Sequence, residues 1–363
     1  LGLPSAPPPQ ASAIPGPRVG DGSGRQPCLI KGGQTSPKSF PVVGFTFKAS
    51  TPILCCTNLC KNPFMEVMRR RRYKLKGEAV YELSSRTLPE ILLEEEDKEA
   101  IRDLLYRAAA FCGIVVLREV VLANHFHVVV QTLSLPASTD AERVERYRAL
   151  DGGERGFLRC SAERLAEILA EGGERAGEFR GRLDRSRGDI SAFMKILKER
   201  TTRRVNRSRE RAGTIWRDRF TSTLLENARG LVKRAIRQID ENPLRLGIVG
   251  HPCQYLWSTV GGPRERIPAA YARFREKLWA FFCGSGGSHS GMHWSWSVMG
   301  YLTSSQKGHR YRPVRPHACF SRGGVVGSET FVRLHSRRWL GRPRAHRVQL
   351  ETRFGTFSAI ACR

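Results

Sequence analysis

Asn124-His125-Phe126-His127-Val128-Val129-Val130 is the stretch on which the fold turns. Its β-branched end, with Val120-Val121-Leu122 just before it, favours an extended strand in the interior of a sheet. Successive side chains of a strand point to opposite faces, so His125 and His127 share one face while Phe126 turns to a core on the other. Two imidazoles placed in this way either chelate a divalent cation or lie half-buried, each satisfied by its own hydrogen bonds.

Upstream, Ala79-Val80-Tyr81-Glu82-Leu83 alternates as a strand does. From Glu94 to Phe111 the period becomes helical, with Ile101, Leu104, Leu105 and Ala108 on one stripe. The acids Glu94 to Asp97 suit the positive end of that helix, and Gly113 ends it. Ile114 to Leu117 and Val120 to Leu122 lead into the histidine strand. The order strand, helix, strand, strand fits an α+β sheet with helices packed on one face, and a basic C-terminal extension follows it.

Downstream, residues 139–188 read as a polar, solvent-exposed helical insertion. Asp189 caps a helix running to Val205, whose apolar stripe is Ile190, Phe193, Met194 and Leu197. Between Lys195 and Arg211 eight Lys or Arg face only Glu199 and Glu210. That surface suits a phosphate backbone, with Lys198, Arg203, Arg204 and Arg207 as candidate contacts. In the following Gly213–Ser222 run, Trp216 and Arg219 offer an aromatic plane beside a guanidinium, a pairing able to clamp unpaired bases. Trp216 and Phe220 equally suit a core.

The 363 residues carry 61 Lys and Arg against 34 Asp and Glu, a formal charge of +27. Such an excess calls for a polyanionic partner, and nucleic acid answers it through counterion release. No apolar run approaches the 18 or so residues of a membrane span, and no secretion signal is visible. The ten cysteines form no paired C-x-x-C knuckles, so they are expected to be reduced, in a cytoplasmic protein. Residues 1–64 are rich in Pro, Gly and Ser and are expected to be a disordered leader, the working protein starting near Met65. Residues 65–260 then form the principal domain, 261–300 a helix (Ile267 to Phe282) with a flexible linker, and 301–363 a basic C-terminal module. His289 and His293 in the linker suit plain loop positions better than a metal site.

Asn124 to Val130 resembles the His-hydrophobic-His (HUH) motif of the single-tyrosine transposases, which include insertion-sequence enzymes and REP-associated tyrosine transposases. Gly213-Thr214-Ile215-Trp216-Arg217-Asp218-Arg219-Phe220-Thr221-Ser222 is similar to the family's Gly-Thr-Leu-Trp-x-x-Arg-Phe-Lys-Ser block, with Thr221 in place of the lysine. Ile239-Asp240-Glu241-Asn242-Pro243-Leu244-Arg245-Leu246-Gly247 is similar to its Ile-Asp-Leu-Asn-Pro-Val-Arg-Ala-Gly segment. The likeness runs from Arg69 to Ser258, and more weakly through Gly323 to Val332.

That resemblance implies an HUH, ferredoxin-like transposase fold, an antiparallel sheet with flanking helices, and a partner in single-stranded or hairpin DNA, acted on by a homodimer. It implies Mg²⁺ or Mn²⁺ held by His125, His127 and Asn242, and DNA transposition through a 5′-phosphotyrosine. The family's nucleophile falls on Gln238, however, and an amide cannot form that ester. No spacing argument puts Tyr81 or Tyr255 in its place. The alternative implied is a DNA-binding module without catalysis, or a decaying remnant of a mobile element.

Overall fold

The computed structural model describes residues 73–151, 157–262, 267–284, 311, 313–340, 347–352 and 355–361. The expected leader 1–64 lies outside these, as do His289 and His293. The chain runs β1 (Ala79–Arg86), α1 (Glu95–Cys112), β2 (Val115–Val121), β3 (His125–Thr132), α2 (Asp140–Asp151), α3 (Ala162–Glu171), α4 (Gly173–Ser186) and α5 (Ile190–Ser208). It continues through β4 (Thr221–Leu225), α6 (Arg229–Asp240), α7 (Asn242–Arg245), α8 (Ala269–Gly284), β5 (Gly324–Gly327), α9 (Glu329–Leu340), β6 (Arg347–Thr352) and β7 (Gly355–Ala361).

Local chemistry fixes the helix ends. The Glu94 backbone N–H donates to Asp97 Oδ2 at 3.2 Å ahead of α1, and Gly113 closes that helix at φ 61, a left-handed conformation costly for side chains with a Cβ. Asp189 Oδ1 accepts from the Ser191 and Ala192 backbones at 2.6 and 3.2 Å, the cap expected for α5.

The seven strands form one sheet in the order β2-β3-β1-β4-β5-β7-β6. All pairings are antiparallel except β4 with β5, which is parallel, so the sheet is mixed and not purely antiparallel as the sequence suggested. The basic tail, expected as a separate module, supplies three strands of this same sheet. Helices also cover both faces, where one covered face was expected. Tyr81, Leu83, Phe126, Val128 and Val130 pack with α1 and α5, while Val80, Leu117, Val129 and Leu225 pack under α6. The α2–α4 insertion is less solvent-exposed than its charge suggested: Tyr147, Leu165, Ile168, Leu169 and Leu183 are buried in the first of these cores.

A bulge in β2 decides where two charged residues go. Val116 pairs with Val130 but Arg118 pairs with Val129, leaving Leu117 as the extra residue. After the shift Arg118 lies beneath α6 and Glu119 lies on the α1 side. Glu119 is bound there by Arg102 Nε at 3.0 Å and the Tyr106 hydroxyl at 2.8 Å. Among the described residues, no helix is long and apolar enough to cross a membrane.

Candidate metal and DNA site

His125 and His127 lie on the sheet face covered by α6, as the alternation requires, and their ring centroids are 5.2 Å apart at a near-perpendicular 84°. Each ring is held at Nδ1. For His125 the partner is Asn124 Oδ1 at 2.6 Å, and for His127 it is Glu82 Oε1 at 3.1 Å. An amide oxygen and a carboxylate oxygen are acceptors, so each contact is made by an Nδ1–H donor. Burial, His127 and the Arg86 guanidinium together push the His125 pKa down to about 3, which keeps that imidazole neutral.

Glu82 reaches His127 because β1 and β3 pair with Ser84 opposite His127 and Glu82 opposite Val129, making the two side chains diagonal neighbours on one face. Glu82 is 2% exposed, and its second oxygen, Oε2, has no hydrogen-bond partner. The Cys319 thiol lies close enough to feel that carboxylate: burial first, then the Glu82 charge, raises its pKa to about 12. Among the described residues, no three His, Cys, Asp or Glu side chains are grouped so as to hold a metal ion by themselves.

Helix α6, on which the sequence resemblance placed the nucleophile at Gln238, anchors the C-terminal segment. Gln238 is 6% exposed, and its amide donates through Nε2 to the His317 carbonyl at 3.1 Å while Oε1 accepts from the His317 N–H at 2.8 Å. Glu241, fully buried, accepts from Arg237 Nε (2.7 Å), the Tyr311 hydroxyl (2.6 Å), the Val314 N–H (2.8 Å) and Arg245 Nη1 (3.0 Å). Asn242 begins α7, and its Oδ1 accepts from Arg245 Nη2 at 2.8 Å. The imidazoles are therefore brought together, while the hydrogen bonds of Gln238 and Asn242 run to the 311–317 segment and to Arg245 and not to the histidines. Tyr81 and Tyr255 are both buried, and burial raises each phenol to about 12, so neither is a ready nucleophile.

Of the expected DNA contacts, Arg203, Arg204, Arg207 and Arg219 are exposed. Lys198 donates to the Asp218 carbonyl at 2.8 Å. Trp216 is not a stacking platform: it is 6% exposed, its ring meets Phe126 edge-on at 5.7 Å, and its indole N–H donates to the Lys198 carbonyl at 3.0 Å. The α5 arginines Arg203, Arg204 and Arg207 line a groove whose opposite wall is acidic, with Glu95, Glu96 and Glu99 of α1. Sequence distance hid those acids, which offset part of the basic surface.

No family model matches this chain, and no curated protein matches it. A solved structure described as "Structure of the REP associates tyrosine transposase bound to a REP hairpin" is similar with a TM-score of 0.34 and 16% identity, over 55% of this chain and 87% of that one. A likeness at this level fixes neither fold nor function.

Proposed function

We propose that this chain is a transposase-like HUH protein that binds single-stranded or hairpin DNA, with a divalent cation at His125 and His127, and that it lacks the covalent step of the family reaction. The observation that carries the reading is the pair of imidazoles on one strand face, each held at Nδ1 by an acceptor oxygen. Mg²⁺ or Mn²⁺ bound there would polarise a phosphate oxygen, with water and phosphate filling the rest of its shell. The chain's own residues then bind and orient DNA. Exposed Arg203, Arg204, Arg207 and Arg219 supply sequence-independent phosphate contacts, and the charge of +27 draws the polyanion in.

Gln238 favours the silent form over the active one. Its amide has no nucleophilic oxygen, and both of its hydrogen-bonding ends are occupied by His317. The test is incubation of purified protein with labelled hairpin-bearing single-stranded DNA and Mn²⁺. Retarded migration in a native gel, with no covalent adduct after denaturation, is the expected result. An adduct would contradict the loss of chemistry, and absence of binding at low salt would contradict the DNA reading.

A further inference from the structure

We infer that Glu82 is a positioning residue for the metal centre: it fixes His127 as the Nδ1–H tautomer and so presents Nε2 to the cation. This rests on the metal reading above for its functional meaning, although the tautomer itself does not. Three observations converge. Glu82 sits on the neighbouring strand at a diagonal register position, so two strands of one sheet hold its carboxylate against the imidazole. The contact is Glu82 Oε1 to His127 Nδ1 at 3.1 Å, with side-chain exposures of 2% and 9%. Glu82 Oε2 is buried without a hydrogen-bond partner, so the imidazole is the one donor this carboxylate has among the described residues.

A buried carboxylate with a single neighbouring donor is costly unless that donor carries a hydrogen. The cost therefore selects the ring nitrogen that is protonated, and it leaves the other nitrogen as the ligand atom. With a cation held at Nε2, His127 would be the stronger Nδ1–H donor toward the Glu82 carboxyl group. Carboxylate, imidazole and metal are thereby coupled, and loss of such an outer partner typically lowers metal affinity about 10–100-fold. The Asn124 contact gives His125 the same tautomer, but from an exposed side chain and a neutral acceptor, so Glu82 carries the larger share.

The test has a metal-free part and a metal-dependent part, both on the full chain. Nitrogen NMR of histidine-labelled protein should show His127 as the Nδ1–H tautomer; an Nε2–H ring overturns the inference without any variant being made. Calorimetric titration with Mn²⁺ should then show Glu82→Ala weakened about 10–100-fold. Glu82→Gln, which keeps an acceptor oxygen, should recover most of that loss. An unchanged Glu82→Ala, or equal losses in both variants, overturns the inference. His127→Ala separates the two levels. If it binds Mn²⁺ as the parent does, the metal reading fails; if it loses Mn²⁺ while Glu82→Ala does not, the positioning role alone fails.

Discussion

Gln238 and His317, 79 positions apart, exchange two hydrogen bonds, side-chain Nε2 to carbonyl at 3.1 Å and backbone N–H to Oε1 at 2.8 Å. The primary amide presents a donor and an acceptor side by side and so matches the N–H and C=O of one residue, whereas a carboxylate, which only accepts, cannot fill both roles. Gln238 thus ties the C-terminal segment to α6.

Replacing Gln238 by Leu or Tyr should therefore cost stability by leaving the His317 peptide groups unpaired. A loss of about 1–3 kcal/mol is expected, read from urea unfolding midpoints. An unchanged midpoint would show that water serves His317 equally well.

Glu241 is the stronger anchor of the same segment, because four donors converge on a carboxylate with no side-chain exposure. Glu241→Ala removes the acceptor that Arg237, Arg245, Tyr311 and the Val314 N–H share and should cost about 3 kcal/mol. Glu199→Ala makes the contrast. It removes an exposed partner 3.9 Å from Arg203 and should change stability by less than about 1 kcal/mol.

Asp240 gives the fold a pH dependence. It lies 3.5 Å from Arg118 Nε, both side chains are wholly buried, and burial outweighs the pull of Arg118 to raise its pKa to about 7. The unfolded carboxyl titrates near ~3.9. Between these values the native state holds the extra proton, so this residue's contribution to stability is fully present below the unfolded value and is lost as pH rises towards 7. Denaturant midpoints should fall from pH 5 to pH 8, and Asp240→Asn should flatten that fall. An equal slope in the variant would assign the dependence to another group.

Arg203, Arg204 and Arg207 should act through phosphates. Each replacement by Ala should weaken binding of single-stranded DNA of any sequence and reduce the slope of log affinity against log salt by about 0.7 for every phosphate no longer neutralised. Unaltered slopes in all three would place the DNA elsewhere. The acidic wall formed by Glu95, Glu96 and Glu99 makes that outcome a real test.

The parts legible in the sequence were those set by local rules. Alternation put His125 and His127 on one face, and a capping Asp189 and a terminating Gly113 marked the ends of α5 and α1. What escaped depended on pairing between distant segments. The charges of Arg118 and Glu119 suggest an exposed strand, and only the bulge at Leu117 with partners Asp240 and Arg102 allows both to be buried. Glu82 stood out only as a departure from the resembling family's strand, and its contact with His127 comes from the β1–β3 register. A signal was present for the buried insertion: Leu165, Ile168 and Leu169 keep helical spacing among the charges. For Trp216, open in the sequence between base stacking and core, the structure shows a buried ring packed perpendicular to Phe126.

Both imidazoles of the histidine strand should ligate one cation. Pulsed electron paramagnetic resonance of Mn²⁺ bound to protein carrying ¹⁵N-labelled histidine reads this directly. Coupling to two imidazole nitrogens, reduced to one by either His125→Ala or His127→Ala, is the expected result; a Mn²⁺ signal with no histidine nitrogen coupling would contradict it.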